Sequence, residues 1–177
     1  MIKVRFDGIV LNRFRGILSI LSAVSVITLY GCTTEQKCRD RDGWIDLFNG
    51  RDLNDWTVKV AGYELNDNPG DIFRVEDGKM IVSYDQFQKF EGQFGHIFYK
   101  DKFSHYKLRL EYGVVGEQLD GGPGWGVRNN GIMVHSQSPK TMRKDQDFPV
   151  SIEVQLLGGM EKMNERRATC VLRELML

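Results

Sequence analysis

Between residues 43 and 157 no segment sustains a 3.6-residue hydrophobic repeat. Short runs of alternating apolar and polar residues take its place, and turn-forming clusters cut them at 67–70 (DNPG), 76–79 (EDGK), 120–124 (DGGPG) and 128–131 (RNNG). A chain patterned this way has no helix face to bury and must make its core from half-buried strands. Strands are predicted at 44–48, 73–76, 79–83, 95–99, 106–115, 131–137 and 151–157. In 73–83 (FRVEDGKMIVS), Asp77-Gly78 supplies a type I′ turn between two of them. The expected architecture is an all-β antiparallel sandwich.

Alternation sorts the side chains of the longest runs. Tyr106, Leu108, Leu110 and Tyr112 share one face of their strand, with Lys107, Arg109 and Glu111 on the other. Ile132 and Val134 oppose Met133, His135 and Gln137. Val150, Ile152, Val154 and Leu156 oppose Ser151, Glu153 and Gln155. Three strands therefore carry a polar face holding Arg109, Glu111, His135, Gln137, Glu153 and Gln155, and Trp125 lies in the Gly-rich loop beside it. A face that simply met water would satisfy the pattern. This one is poor in Lys and Thr and rich in titratable and hydrogen-bonding groups, as a ligand-binding face would be.

The first residues read differently. Lys3, Arg5, Arg13 and Arg15 precede a short apolar run at 16–32 that ends Leu29-Tyr30-Gly31-Cys32. A basic start, a short apolar run and small residues make a secretory leader, and the run is too short to span a bilayer as a helix. The ending resembles the bacterial lipobox, in which the cysteine is acylated and becomes the new N-terminus. The expectation is a signal peptide at 1–31, lipidation at Cys32, a polar tether at 32–42 and a domain from Gly43. The protein would then be an exported lipoprotein of the periplasm or outer membrane of a Gram-negative cell, touching the membrane through its lipid. Lys plus Arg and Asp plus Glu number 24 each in the 177 residues. That balance argues against a nucleic-acid partner, which calls for a basic excess. Cys38 and Cys170 could pair in an oxidising compartment, and no cysteine or histidine spacing announces zinc.

Residues 43–58 (GWIDLFNGRDLNDWTV) resemble the start of the 3-keto-disaccharide hydrolase family, whose pattern is met by Gly43, Trp44, Leu47, Phe48, Asn49, Gly50, Leu53 and Trp56. The family's hairpin, its "FSHYKLRLEY" strand (103–112), "NNGIMVH" (129–135) and "IEVQLLGG" (152–159) follow in order, so the likeness covers 43–159. The resemblance implies a concanavalin A-like jelly roll of two curved antiparallel sheets, with a sugar substrate on the concave one. Many members carry an Arg shortly after the "NSGI" strand; here His135 stands near that place. Beyond "LLGG" the family pattern is kept by Glu165-Arg166 and then lost, which sets 160–177 apart as an aberrant tail. One choice of codons for 169–177, read two bases later, gives Leu-Cys-Ser-Pro-Gly-Thr-His-Val, the family's continuation. A frameshift near Arg167, with the last strands missing, is the expectation.

Two chemistries suit such a substrate. Direct glycoside hydrolysis needs two carboxylates, and Glu111 with Glu153 is the available pair. Elimination exploits the ketone at C3, which acidifies the hydrogen on C2. A base removes that proton, the C1 substituent leaves, and water adds back. His135 is the natural base, since imidazole titrates near neutrality. Arg128, Arg109 or a divalent cation held by Glu153 would meet the enolate oxygen. Trp125 would stack on a sugar's C–H face, and Asn130, Gln137 and Gln155 would bond its hydroxyls. His96 and His105 read as structural. The alternatives to an enzyme are a carbohydrate-binding module and an inactive fragment.

Overall fold

The computed structural model describes residues 2–11, 44–104, 106–158 and 168–172. Cys32, Cys38, His105, the tether and most of the leader lie outside them. The described residues form ten strands: β1 (Ile2–Leu11), β2 (Trp44–Ile45), β3 (Trp56–Val60), β4 (Phe73–Glu76), β5 (Lys79–Val82), β6 (Gly95–Tyr99), β7 (Tyr106–Val114), β8 (Asn129–Val134), β9 (Ile152–Leu157) and β10 (Ala168–Leu172). Three single 3-10 turns punctuate them. Every pairing is antiparallel. The large sheet runs β10-β7-β1-β5-β4, with β2 beside β1; β3–β6 and β8–β9 are separate two-stranded sheets.

Two apolar clusters join these sheets into layers. Leu108 and Leu110 of β7 pack with Leu47 and with Leu156 of β9, flanked by Trp56 and Tyr99. Phe73 of β4 packs with Ile72 and with Val58 and Val60 of β3, flanked by Val82 and Ile97. The large sheet thus presents one face to both small sheets. The fold is an all-β, jelly-roll-like sandwich whose second layer comes in two pieces rather than as one sheet. At about 0.8 kcal/mol per buried methylene, these contacts supply the cohesion that the short strands lack alone.

Local chemistry explains the best-defined turns. Asp77 (φ 48°) and Gly78 (φ 70°) both take the left-handed region that a type I′ turn demands, and Glu76 pairs with Lys79 across it. The segment 49–54 is a polar turn locked on itself. Asn49 Oδ1 accepts from the backbone N–H groups of Arg51 (2.8 Å) and Asp52 (3.0 Å), and Asp52 Oδ1 accepts from Asn54 N–H (3.0 Å). The most recognisable stretch of the sequence is therefore structural. Its neighbour Trp56 donates its indole N–H to the Leu47 carbonyl at 3.1 Å and meets Tyr99 edge-on, with centroids 5.1 Å apart.

Three strands differ from expectation. Residues 2–11, set aside as the start of a leader, form β1, paired to β7 on one side and β5 on the other. Their sequence alternates Ile2, Val4 and Phe6 with Lys3, Arg5 and Asp7, which is a strand's period as well as a basic start. Residues 168–172, inside the stretch read as an aberrant tail, form β10 on the outer side of β7. Residues 56–60 form β3, which the sequence reading did not mark because Lys59 interrupts the apolar run.

Candidate active site

The register of β8 and β9 builds the polar face. Gly131 lies opposite Gln155 and Met133 opposite Glu153, so these four share one face; Ile132, Val134, Val154 and Leu156 share the other. The expected alternation of 151–157 thus holds. Glu153 leans diagonally over Gly131. A Cβ at residue 131 would stand 2.6 Å from Glu153 Cγ and overlap its Oε1, so glycine is what gives the carboxylate its place. Gln155 donates to Asn129 Oδ1 at 3.1 Å, and Asn129 donates to the Trp125 carbonyl at 2.9 Å. This chain of two bonds pins the Trp125 loop to the strand that carries Glu153. Ser151 donates to Met133 Sδ at the other end of the face.

The strand stops at Val134. His135 has φ 52° and is exposed, so the chain turns there instead of continuing the alternation. Gln137 consequently does not extend the polar face. Its amide donates to the Thr141 carbonyl (2.9 Å) and its oxygen accepts from Gln146 (2.9 Å) and from Val150 N–H (3.2 Å). It clamps the loop between β8 and β9. Asn130 points to the opposite side from Gln155, and its oxygen accepts from the N–H of Gly131 at 2.7 Å. Arg128 (φ 51°) precedes β8, and its carbonyl accepts from Gly158.

A cavity of about 1670 Å³ runs along β6, β7 and β8–β9. His135, Glu153, Gln155, Arg128, Asn130, Gln137 and Trp125 all line it. Arg109 and Glu111 do not. Leu108 and Leu110 turn inward from β7, so the residues alternating with them turn away. The Arg109 guanidinium sits 4.5 Å over the Trp44 ring, a cation–π contact that accounts for it. The expectation that three strands gather all six polar residues in one hollow is corrected on this point: β7 contributes its apolar face. Glu111 and Glu153 therefore do not flank a common site.

His96 and Lys59 enter the site's construction without having been singled out for it. They lie opposite each other on β6 and β3. Lys59 is 2% exposed and donates to three carbonyls, of Val60 (2.8 Å), Tyr63 (3.1 Å) and Lys144 (2.8 Å). Burial pushes its pKa down from the usual lysine value. His96 Nε2–H donates to the Asp147 carbonyl at 2.6 Å, and burial likewise lowers the imidazole pKa. Together they dock residues 144–148 on β3–β6, and with them Phe148. The sequence signal was a lysine flanked by Val58 and Val60 in an apolar run, and a lysine is rarely buried unless it is caged.

Glu153, Met133 and Gln155 offer one carboxylate, one thioether and one amide on their face. Among the described residues no three His, Cys, Asp or Glu side chains gather to hold a metal ion.

A family model described as a 3-keto-alpha-glucoside-1,2-lyase-like domain matches residues 43–174. The match runs past Gly159, where the likeness was expected to end, and takes in β10. No curated protein and no solved structure matches the chain.

Proposed function

The chain belongs to the 3-keto-alpha-glucoside-1,2-lyase-like domain family, and on that premise we propose that it cleaves 3-keto-glycosides by elimination across C1 and C2. His135, exposed at the cavity mouth, takes the proton from C2. The electrons left on C2 form the enolate with the C3 ketone, and Arg128 offers positive charge to its oxygen. Expulsion of the C1 oxygen substituent follows, with a proton supplied from the Glu153 carboxyl. Water adding across the new double bond yields the free 3-keto sugar. Gln155 supplies a hydrogen-bonding group beside Glu153, and Trp125 an aromatic platform.

The observation that carries this reading is the opening of His135 and Glu153 on one cavity while Glu111 turns away from it. Direct hydrolysis would want two carboxylates flanking the bond; Glu111, the partner expected for Glu153, does not reach the cavity, and the others that line it, Asp85, Asp101 and Glu117, come from segments other than the strands β8 and β9. The test is aglycone release from a 3-keto-glucoside. Replacing the C2 hydrogen with deuterium should slow release severalfold, and His135→Ala should abolish it. An isotope-insensitive rate, or undiminished release by the variant, sinks the assignment. Saturable binding of the sugar without release would identify a carbohydrate-binding module.

The same proposal places the protein outside the cytoplasm, tethered by an acylated Cys32. Its support is the sequence Leu29-Tyr30-Gly31-Cys32 behind a basic start. Labelling with radioactive palmitate should be lost in Cys32→Ala.

A further inference from the structure

Three chain segments that are distant in sequence bring aromatic rings to one end of the cavity. Phe94 stacks on Trp125 with centroids 5.7 Å apart and planes 13° from parallel. Phe94 also tilts against Phe148 at 4.8 Å and meets Phe90 edge-on at 4.9 Å. The edge of His96 closes on Phe148 at 5.6 Å. A cluster serving only to fill the core would be buried. Here Trp125 is 60% exposed and Phe148 42% exposed, and both line the cavity. Phe94 covers one face of the Trp125 indole, and most of the remainder stands open.

Two backbone carbonyls at this end are already engaged. The Asp147 carbonyl accepts from His96, and the Trp125 carbonyl accepts from Asn129. A second pyranose would lay one C–H face on this wall and find little there to hold its hydroxyls, and any that it buried unpaired would be costly. A flat apolar ring meets no such cost and gains ring contacts. Tyr84 holds the Phe94 side of the wall in place: its hydroxyl donates to the Gln93 carbonyl at 2.8 Å and accepts from Gly95 N–H at 3.1 Å. Burial pushes this phenol up to about 12, so it stays neutral.

We infer that this aromatic wall is the leaving-group subsite, and that the protein prefers 3-keto-glucosides of phenols to 3-keto-disaccharides. The inference rests on the elimination reading and adds the identity of the departing group. The chemistry agrees with the wall. A phenol ionises near pH ~10 and departs as phenolate with the C1–O electron pair, needing far less proton donation than a sugar alkoxide. Glu153, with no second carboxylate on its face, is matched to that lighter demand.

The experiment compares kcat/KM for the phenyl, methyl and glucosyl 3-keto-glucosides, in the parent and in Phe148→Ala. The expected order puts phenyl first. The phenyl-to-methyl ratio should fall about tenfold in the variant, chiefly through KM, the size of one lost ring contact. A ratio that does not move, or a preference for the glucosyl substrate that Phe148→Ala diminishes, overturns the inference and leaves the elimination reading standing. If no substrate is cleaved, that reading fails, and binding decides the subsite: phenyl glucoside should quench tryptophan fluorescence saturably in the parent and not in Trp125→Phe. Absence of quenching in the parent overturns the inference as well.

Discussion

Replacing Gly131 by alanine isolates the position of the Glu153 carboxylate from the stability of the fold. The new Cβ would lie 2.6 Å from Glu153 Cγ and 2.7 Å from Cδ, with overlap at Oε1. Carbon–carbon contacts settle at about 3.5–4.0 Å, so the side chain must retreat by roughly 1 Å. Glu153 is exposed and can swing to solvent, at about 0.5–1.5 kcal/mol if its new torsion is imperfect. A similar gain offsets this, because glycine inside a strand is itself unfavourable by roughly 0.5–1 kcal/mol. Melting should therefore move by no more than about 3 °C, at roughly 2–4 °C per kcal/mol for a chain of this size. Catalysis should not be spared. Misplacing a reacting group by about 1 Å costs on the order of 100-fold in rate. The assay is aglycone release beside a thermal melt. Gly131→Ala combined with Glu153→Gln should be little worse than Glu153→Gln alone, since both act through one carboxyl. Release within about twofold of the parent at unchanged stability would mean that Glu153, where the structure places it, takes no part in the reaction.

Lys59→Met removes the ammonium from its three-carbonyl cage. The Val60 carbonyl keeps the N–H of Tyr63, and the Lys144 carbonyl keeps that of Gly62; only the Tyr63 carbonyl loses its donor. With the burial cost of the charge relieved at the same time, the net loss is about 2 kcal/mol, or 4–8 °C in melting, with faster amide exchange at 144–148; a rise in melting temperature would refute the cage. Stability should also depend on His96. Its folded pKa lies below the ordinary 6.5 because burial disfavours the imidazolium, so the unfolded chain binds the proton more readily. The stability it contributes is complete above about pH 6.5 and declines as pH falls toward the folded value. His96→Phe should flatten that part of the melting-temperature profile, and an unchanged slope would show that another group titrates.

The hairpin at 73–82 was legible because its turn chemistry and both strand periods lie within a dozen residues. Strand β3 was not, because Lys59 looks like a solvent-facing break until three carbonyls, one of them 85 residues away, enclose it. Of the site, the strand carrying Glu153 and Gln155 was read correctly from its alternation. Gln137 was misplaced, because a single left-handed residue, His135, ends the strand early. Arg109 and Glu111 illustrate a limit of a different kind. Period-two patterning identifies which residues share a face, and it does not say which face of the strand meets the cavity. That is decided by packing against distant Leu47 and Leu156. The aromatic wall was invisible for the same reason, since Phe94, Trp125 and Phe148 are unrelated in sequence and meet only through folding.

The two readings of the first residues can be reconciled by weighing what β1 contributes. It pairs with β7 at nine positions and with β5 at three. Ordering its ten residues costs roughly 1–2 kcal/mol each, while each ladder hydrogen bond returns a net of only about 1 kcal/mol. The backbone account is close to neutral at best. Meanwhile the described clusters that hold the layers together join Leu47 with Leu108, Leu110 and Leu156, and Val58 and Val60 with Ile72 and Phe73. All of these residues remain in a chain beginning at Cys32, so it is expected to keep both clusters. What it loses is the strand between β7 and β5, which also partners β2, and the edges so uncovered recruit other strands. The expected behaviour of the 32–177 protein is a cooperative melt together with association that grows with concentration, suppressed by adding a peptide of residues 2–11. Loss of the cooperative transition would show that β1 is indispensable to the core, and cleavage before Cys32 would then be incompatible with this fold.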